Sequence, residues 1–156
     1  MNRKKSRETA MKLLFQMTSN KEELKDVITD FKENHDKSNI DSGSLTGENP
    51  EQDVENINID EIDLVYITKL LKGIEENIDE LDSEISKYLK NWKLNRLNKV
   101  DLCILRIGAY ELLFSTDVPS AVCINEAVEM GKKYSDEKSA SFINGLLDNL
   151  LKNSVK

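Results

Sequence analysis

Apolar residues recur along the chain at i, i+3, i+4 and i+7, the spacing of one face of an α-helix. Seven segments carry that pattern. The first, about Ser6–Thr18, puts Ala10, Leu13, Leu14 and Met17 on one face with Phe15 beside them. The second, Glu22–Glu33, carries Leu24, Val27, Ile28 and Phe31. Asp60–Asn77 shows Ile67, Leu70, Leu71 and Ile74, and Asp79 opens a fourth segment with Leu81, Ile85, Tyr88, Leu89 and Trp92. The fifth, about Arg96–Ser115, is apolar most of the way round, which predicts a helix central to the fold. Pro119 marks a break, since proline disfavours helical geometry in the residue before it. Ser120–Tyr134 and Glu137–Lys152 complete the set, the last placing Ile143, Leu146, Leu147 and Leu150 on one face. No window alternates with period two for long enough to argue a strand.

Between the second and third segments the pattern stops. Residues 34–58 are polar and aperiodic, contain Gly43, Gly47 and Pro50, and are expected to form a long solvated loop. A structureless stretch of that length inside a small domain is unusual; a tolerated insertion between residues 1–33 and 59–156 is the expected explanation. Two prolines and six glycines in 156 residues leave few of the turns an all-β fold needs. The chain is long enough to bury a core without metal or disulfide staples. An all-α fold in one domain, residues 1–156, with a polar acidic loop at about 34–58, is therefore expected.

The net charge of −7 is unevenly placed. Glu22–Asp63 carries a net of −11, so the remainder carries +4, and the overall acidity says little about most of the surface. Cys103 and Cys123 sit in apolar runs and read as buried thiols of a reducing compartment. Two cysteines and one histidine, His35, are too few for a zinc site, and no cofactor is expected. No signal peptide or membrane-spanning run is present, so a cytoplasmic location is expected. There is no Gly-rich phosphate loop and no nucleophile elbow, and the one histidine lies in the polar loop, so an enzyme is not expected.

Several residues break a local rule. Arg3, Lys4, Lys5 and Arg7 lie just before or within the first turn of the first helix, where the helix dipole opposes positive charge. With Lys12 one turn on, they form either an anion-binding patch suited to phosphates or a frayed basic tail. Four such residues against a single strand imply a salt slope of about −3. Tyr88, Lys90 and Trp92 near the end of the fourth helix combine aromatic and basic groups that can stack bases and hold phosphates, though core aromatics at a helix end explain them equally well. Asp101, Arg106 and Glu111 are the charged residues of the apolar run 100–114. An internal ion pair through Arg106, or a rim position for Asp101 where a partner docks, are the two readings of that set.

The stretch Val100–Leu150 resembles the C-terminal half of the NusB family of transcription antitermination factors. The matching pieces are LR-x-x-x-YEL at Leu105–Leu112, Pro119, INEAVE at Ile124–Glu129 and F-x-NG-x-LD at Phe142–Asp148. The R-x-x-x-R-E of Arg3–Glu8, leading into an apolar helix, resembles the family's basic entry, and Trp92, Arg96 and 64–77 also fit. The resemblance implies seven helices in two packed bundles around the central apolar helix. It also implies RNA binding without catalysis: with NusE, a small-subunit ribosomal protein, binding of the boxA element of nascent ribosomal RNA, and action with other Nus factors on the RNA polymerase elongation complex.

By position, the resemblance implies that Arg3, Lys4, Lys5 and Arg7 meet RNA phosphates, that Tyr88 and Phe142 lie near the RNA path, and that Asp101 lies on the NusE side. Lysine in place of arginine suits point-charge contacts better than bidentate ones. The sequence departs from the family in its long acidic loop, expected to point away from the RNA, and at Lys138, where some relatives have an acidic residue. Some members self-associate, which makes a homodimer one of the states the resemblance allows. NusB-like domains also occur fused to ribosomal RNA methyltransferases; the chain ends at Lys156 without one, so a free-standing factor is expected. A helical adaptor that binds protein and no RNA is the alternative from another class.

Overall fold

In the computed structural model, residues 2–38, 61–90 and 93–154 are described, with backbone alone for 34–38. They form seven α-helices and no strand. The helices are α1 (Arg3–Asn20), α2 (Leu24–Ser38), α3 (Leu64–Glu76), α4 (Ile78–Ser86), α5 (Lys99–Phe114), α6 (Ser120–Tyr134) and α7 (Glu137–Ser154). A 3₁₀ turn, Leu94–Arg96, lies between α4 and α5. The number and type of elements agree with the apolar spacing; the ends differ, and capping side chains account for several of the differences.

α1 starts three residues earlier than its apolar stripe, because the Asn2 side chain accepts from the Lys5 N–H at 3.1 Å and caps the helix there. It ends where Lys21 adopts the left-handed conformation, φ 54°, and its N–H turns back to the Met17 carbonyl. α3 begins at Leu64 because Asp63 Oδ1 accepts from the Tyr66 N–H at 3.1 Å. α5 begins at Lys99, with Asn98 Oδ1 accepting from the Val100 N–H at 2.8 Å, so Arg96 lies in the 3₁₀ turn and outside the helix. α4 stops at Ser86: the N–H groups of Tyr88 and Leu89 bond three residues back, to Ile85 and Ser86, and the helix tightens into turns. Tyr88 and Lys90 therefore follow the helix, and Trp92 lies outside the described residues. α2 runs on to Ser38, so residues 34–38 of the expected loop are helical, and the rest of that loop lies outside the described residues.

The chain divides into two compact units, residues 1–72 and 73–156. In the first, α1 packs on α2 through a core that includes Ala10, Leu13, Leu14, Val27, Ile28 and Phe31. In the second, α5 packs against α4, α6 and α7, and Leu102–Leu105, Ile107 and Ala109 are all buried. An apolar helix with charged residues at only three of its inner positions is stable in such a place because neighbours cover most of its circumference. Cys103 and Cys123 are buried thiols of this core. Three glycines of the second unit make close helix packing possible. A Cβ at Gly73 would lie 2.1 Å from the Tyr110 hydroxyl, at Gly108 2.7 Å from Leu147 Cδ1, and at Gly131 3.2 Å from the Ala140 Cα. No helix among the described residues is long and apolar enough to cross a membrane.

Candidate nucleic-acid interface

The N-terminal basic residues occupy the first two turns of α1, one turn of helix earlier than the stripe suggested. Arg3, Lys4 and Lys5 are exposed, whereas Arg7 is buried at 4% and Lys12 is half-buried. A helix N-terminus that carries three cations and no acid in its first turn stands against its own dipole. Residues 61–66 answer that charge. Lys5 Nζ is paired with Glu61, Arg3 Nη2 lies 3.9 Å from Asp63, and the Arg3 guanidinium stacks 4.0 Å from the centre of the Tyr66 ring. The Arg7 guanidinium lies 5.8 Å from the same ring, on the inner side of the patch where solvent is excluded.

A short chain of hydrogen bonds holds these two pieces together. The Asn2 N–H donates to the Glu61 carbonyl at 2.8 Å, and the buried Ser6 hydroxyl donates to the Asn2 carbonyl at 2.9 Å. Ser6 Oγ in turn accepts from the Asp63 N–H at 2.8 Å, and Asp63 caps α3. The cap of one helix is thereby bonded to the first turn of another, which fixes Tyr66 beside Arg3. Sequence spacing does not show this. Tyr66, Glu61 and Asp63 lie more than 50 residues from the basic run, and the apolar pattern, which starts the third segment at Asp60, singles out none of them.

The second unit holds the remaining candidates. Tyr88 is half-buried and Lys90 exposed in the turns after α4, and Phe142 is half-buried on α7. Asp101 is buried at 7%, so it does not stand exposed on a rim. Its Oδ2 accepts from the Ser139 hydroxyl at 2.8 Å, Ser139 Oγ accepts from the Ser135 hydroxyl at 2.9 Å, and Oδ1 has no hydrogen-bond partner. The internal ion pair predicted through Arg106 forms with a residue of another helix: Nε and Nη2 each lie 2.9 Å from a carboxylate oxygen of Asp82 on α4. Lys138 is exposed in the first turn of α7, next to Ser139.

Asp136 precedes α7 and accepts from the Ser139 N–H at 2.7 Å. That backbone donor, and after it the Ser139 side chain, hold its carboxyl below the ordinary aspartate value of 3.8. A carboxyl depressed in the folded state adds stability above its unfolded pKa and loses it as pH falls through the folded one. Denaturant midpoints measured from pH 7 down to pH 3 should therefore fall below about pH 4. Asp136→Asn keeps a capping oxygen but removes the titration, so its curve should be flatter in that window. An unchanged slope in the variant would mean that other carboxylates set the acid limb.

A sequence profile of the NusB family matches residues 4–152. The transcription antitermination protein NusB of Clostridium tetani is 53% identical over 152 residues, 97% of this chain and 99% of the relative. NusB of Clostridium kluyveri is also 53% identical, over 97% of this chain and 96% of its own length. Among solved structures, T. maritima NusB superposes with a TM-score of 0.73 at 33% identity, over 100% of this chain and 94% of that one. A crystal structure of the antitermination factors NusB and NusE in complex with double-stranded RNA gives a TM-score of 0.72 at 28% identity, over 97% of this chain and 96% of that one. With a matched profile across nearly its whole length and relatives identical at half of their positions, the chain belongs to the NusB family.

Proposed function

We propose that this chain is a transcription antitermination factor. With NusE it binds the boxA element of nascent RNA, chiefly in ribosomal RNA leaders, and helps the elongation complex of RNA polymerase pass early terminators. The observation that carries this reading is the near-complete match to curated antitermination proteins, which covers 97% of the chain. Support from the geometry is local: three exposed cations, Arg3, Lys4 and Lys5, stand together on one helical turn, where RNA phosphates can replace or join their carboxylate neighbours. The role is binding, with no chemical step.

Within this reading the residues take different parts. Arg3, Lys4 and Lys5 contact phosphates, and the buried Arg7 supports the ring of Tyr66 from the inner side. Lys12, Tyr88, Lys90 and Phe142 are proposed as further RNA contacts. Asp101 serves the NusE side by holding Ser139, and with it the first turn of α7, in place. The whole chain acts as one NusB-like RNA-binding domain in the cytoplasm.

Titration of labelled boxA RNA at two salt concentrations, with and without NusE, tests the proposal. Three exposed cations imply a salt slope of about −2 from α1, lower than four would give. Binding should tighten with NusE, and the triple variant Arg3→Gln, Lys4→Gln, Lys5→Gln should lose roughly two units of that slope. Binding unaffected by the triple variant would move the RNA site off α1. No binding even with NusE would favour a protein-binding adaptor.

A further inference from the structure

The arrangement around Tyr66 has a consequence for how α1 meets RNA. A guanidinium is planar: its faces stack on aromatic rings, while its five N–H donors point outward in the plane. At 4.0 Å from the ring centre, Arg3 offers one face to Tyr66 and keeps its donor edge for another group. Asp63, 3.9 Å from Nη2, approaches that edge but is too far for a hydrogen bond. Arg3 itself is half-exposed, with its side chain at 49%.

The ring, in contrast, is held from several sides. Tyr66 lies in the first turn of α3, and its N–H is bonded to the capping Asp63. Asp63 is bonded to Ser6, one turn from Arg3 on α1. Arg7, four residues after Arg3 and so on the same helix face, occupies the inner side at 5.8 Å. A free arginine side chain samples many rotamers, and a stacked one has already lost much of that freedom before its ligand arrives.

We infer that Tyr66 is a positioning residue for RNA binding: it orders Arg3 so that the guanidinium edge grips one phosphate of the bound RNA in a bidentate contact. The inference rests on the proposal that α1 contacts RNA, and it assigns a role to a residue that does not itself touch the phosphate. Stacking supplies an attraction that a leucine lacks and a phenylalanine keeps. The hydroxyl is therefore dispensable to this role, and the ring is not.

The test is a mutant cycle read as boxA RNA affinity in the presence of NusE. The proteins are wild type, Tyr66→Phe, Tyr66→Leu, Arg3→Ala and the double variant Arg3→Ala/Tyr66→Leu. Circular dichroism at the assay temperature checks that each is folded. Tyr66→Leu should weaken binding by about 2- to 5-fold, the loss expected of an exposed cation–π contact, while Tyr66→Phe stays within about twofold of wild type. In the Arg3→Ala background, Tyr66→Leu should have no further effect. If Arg3→Ala weakens binding and Tyr66→Leu does not, the positioning role is wrong and RNA binding by α1 stands. If Tyr66→Leu weakens binding equally in both backgrounds, the ring contacts RNA directly and the inference is again overturned. If Arg3→Ala leaves affinity unchanged, Arg3 grips no phosphate and the inference is overturned, while the reading of α1 as an RNA site stands or falls with the triple variant of Arg3, Lys4 and Lys5.

Discussion

Leu147→Ala should lower the unfolding free energy by about 2–5 kcal/mol, the range for removing a fully buried leucine and leaving a partly collapsed cavity. Leu147 is wholly buried on α7, and its Cδ1 lies where a side chain on Gly108 would begin, 2.7 Å from the position of that Cβ. The two sites are thus one packing unit. In the wild-type background, Gly108→Ala gains about 1 kcal/mol of helix propensity but forces the leucine methyl to move in a filled core, which costs about 1–3 kcal/mol. Once Leu147 is alanine that clash is gone. The next nearest atom, the Ala127 Cβ, is at an ordinary 3.5 Å.

Gly108→Ala should therefore be neutral or destabilising in the wild type and stabilising, by up to about 1 kcal/mol, in the Leu147→Ala background. Denaturant unfolding of the four proteins measures the coupling. Equal effects of Gly108→Ala in both backgrounds would show that helix α5 approaches α7 less closely than the structure has it.

The second large effect belongs to the ion pair between α4 and α5. The Arg106 side chain is 12% exposed and that of Asp82 25%, so both charges are mostly removed from water. Their two parallel hydrogen bonds match a planar fork to a carboxylate. Asp82→Ala leaves the guanidinium buried without its partner and should cost about 2–3 kcal/mol. Replacing both residues, Asp82→Leu with Arg106→Met, should recover most of that loss, because an apolar pair needs no desolvation of charge. A double variant as unstable as Asp82→Ala would mean that the pair contributes net stability.

Neither effect touches the cations proposed to bind RNA, so stability and affinity can be varied separately. That separation matters for Arg7. A loss of RNA binding in Arg7→Ala should appear together with a loss of stability, because the side chain is buried. Losses at Lys4 should appear in affinity alone.

The helices themselves were legible in the amino-acid sequence, because a repeat of 3.6 residues is a local property and each apolar stripe declares its own element. The all-round apolarity of α5 likewise announced that neighbours would cover it. Helix ends are less legible: the apolar pattern starts α5 at Arg96 and carries α4 past Ser86, but a single capping asparagine and a tightening turn outweigh it there. The cluster Arg3–Arg7 stood out as a run of charge, but the run could not show which of its members reach water.

That was decided by tertiary structure. Arg3 and Arg7 share a face of α1, but Arg3 stands at the open end of the helix and Arg7 one turn further in, so packing buries Arg7 and leaves Arg3, Lys4 and Lys5 exposed. The meeting of Tyr66 with Arg3, and the choice of Asp82 as the partner of Arg106, depend on the register of helices brought together across 24 to 63 residues of chain. Charge and ring contacts act over a few ångströms of space and carry no mark of sequence distance, so the packing of the helices alone selects them.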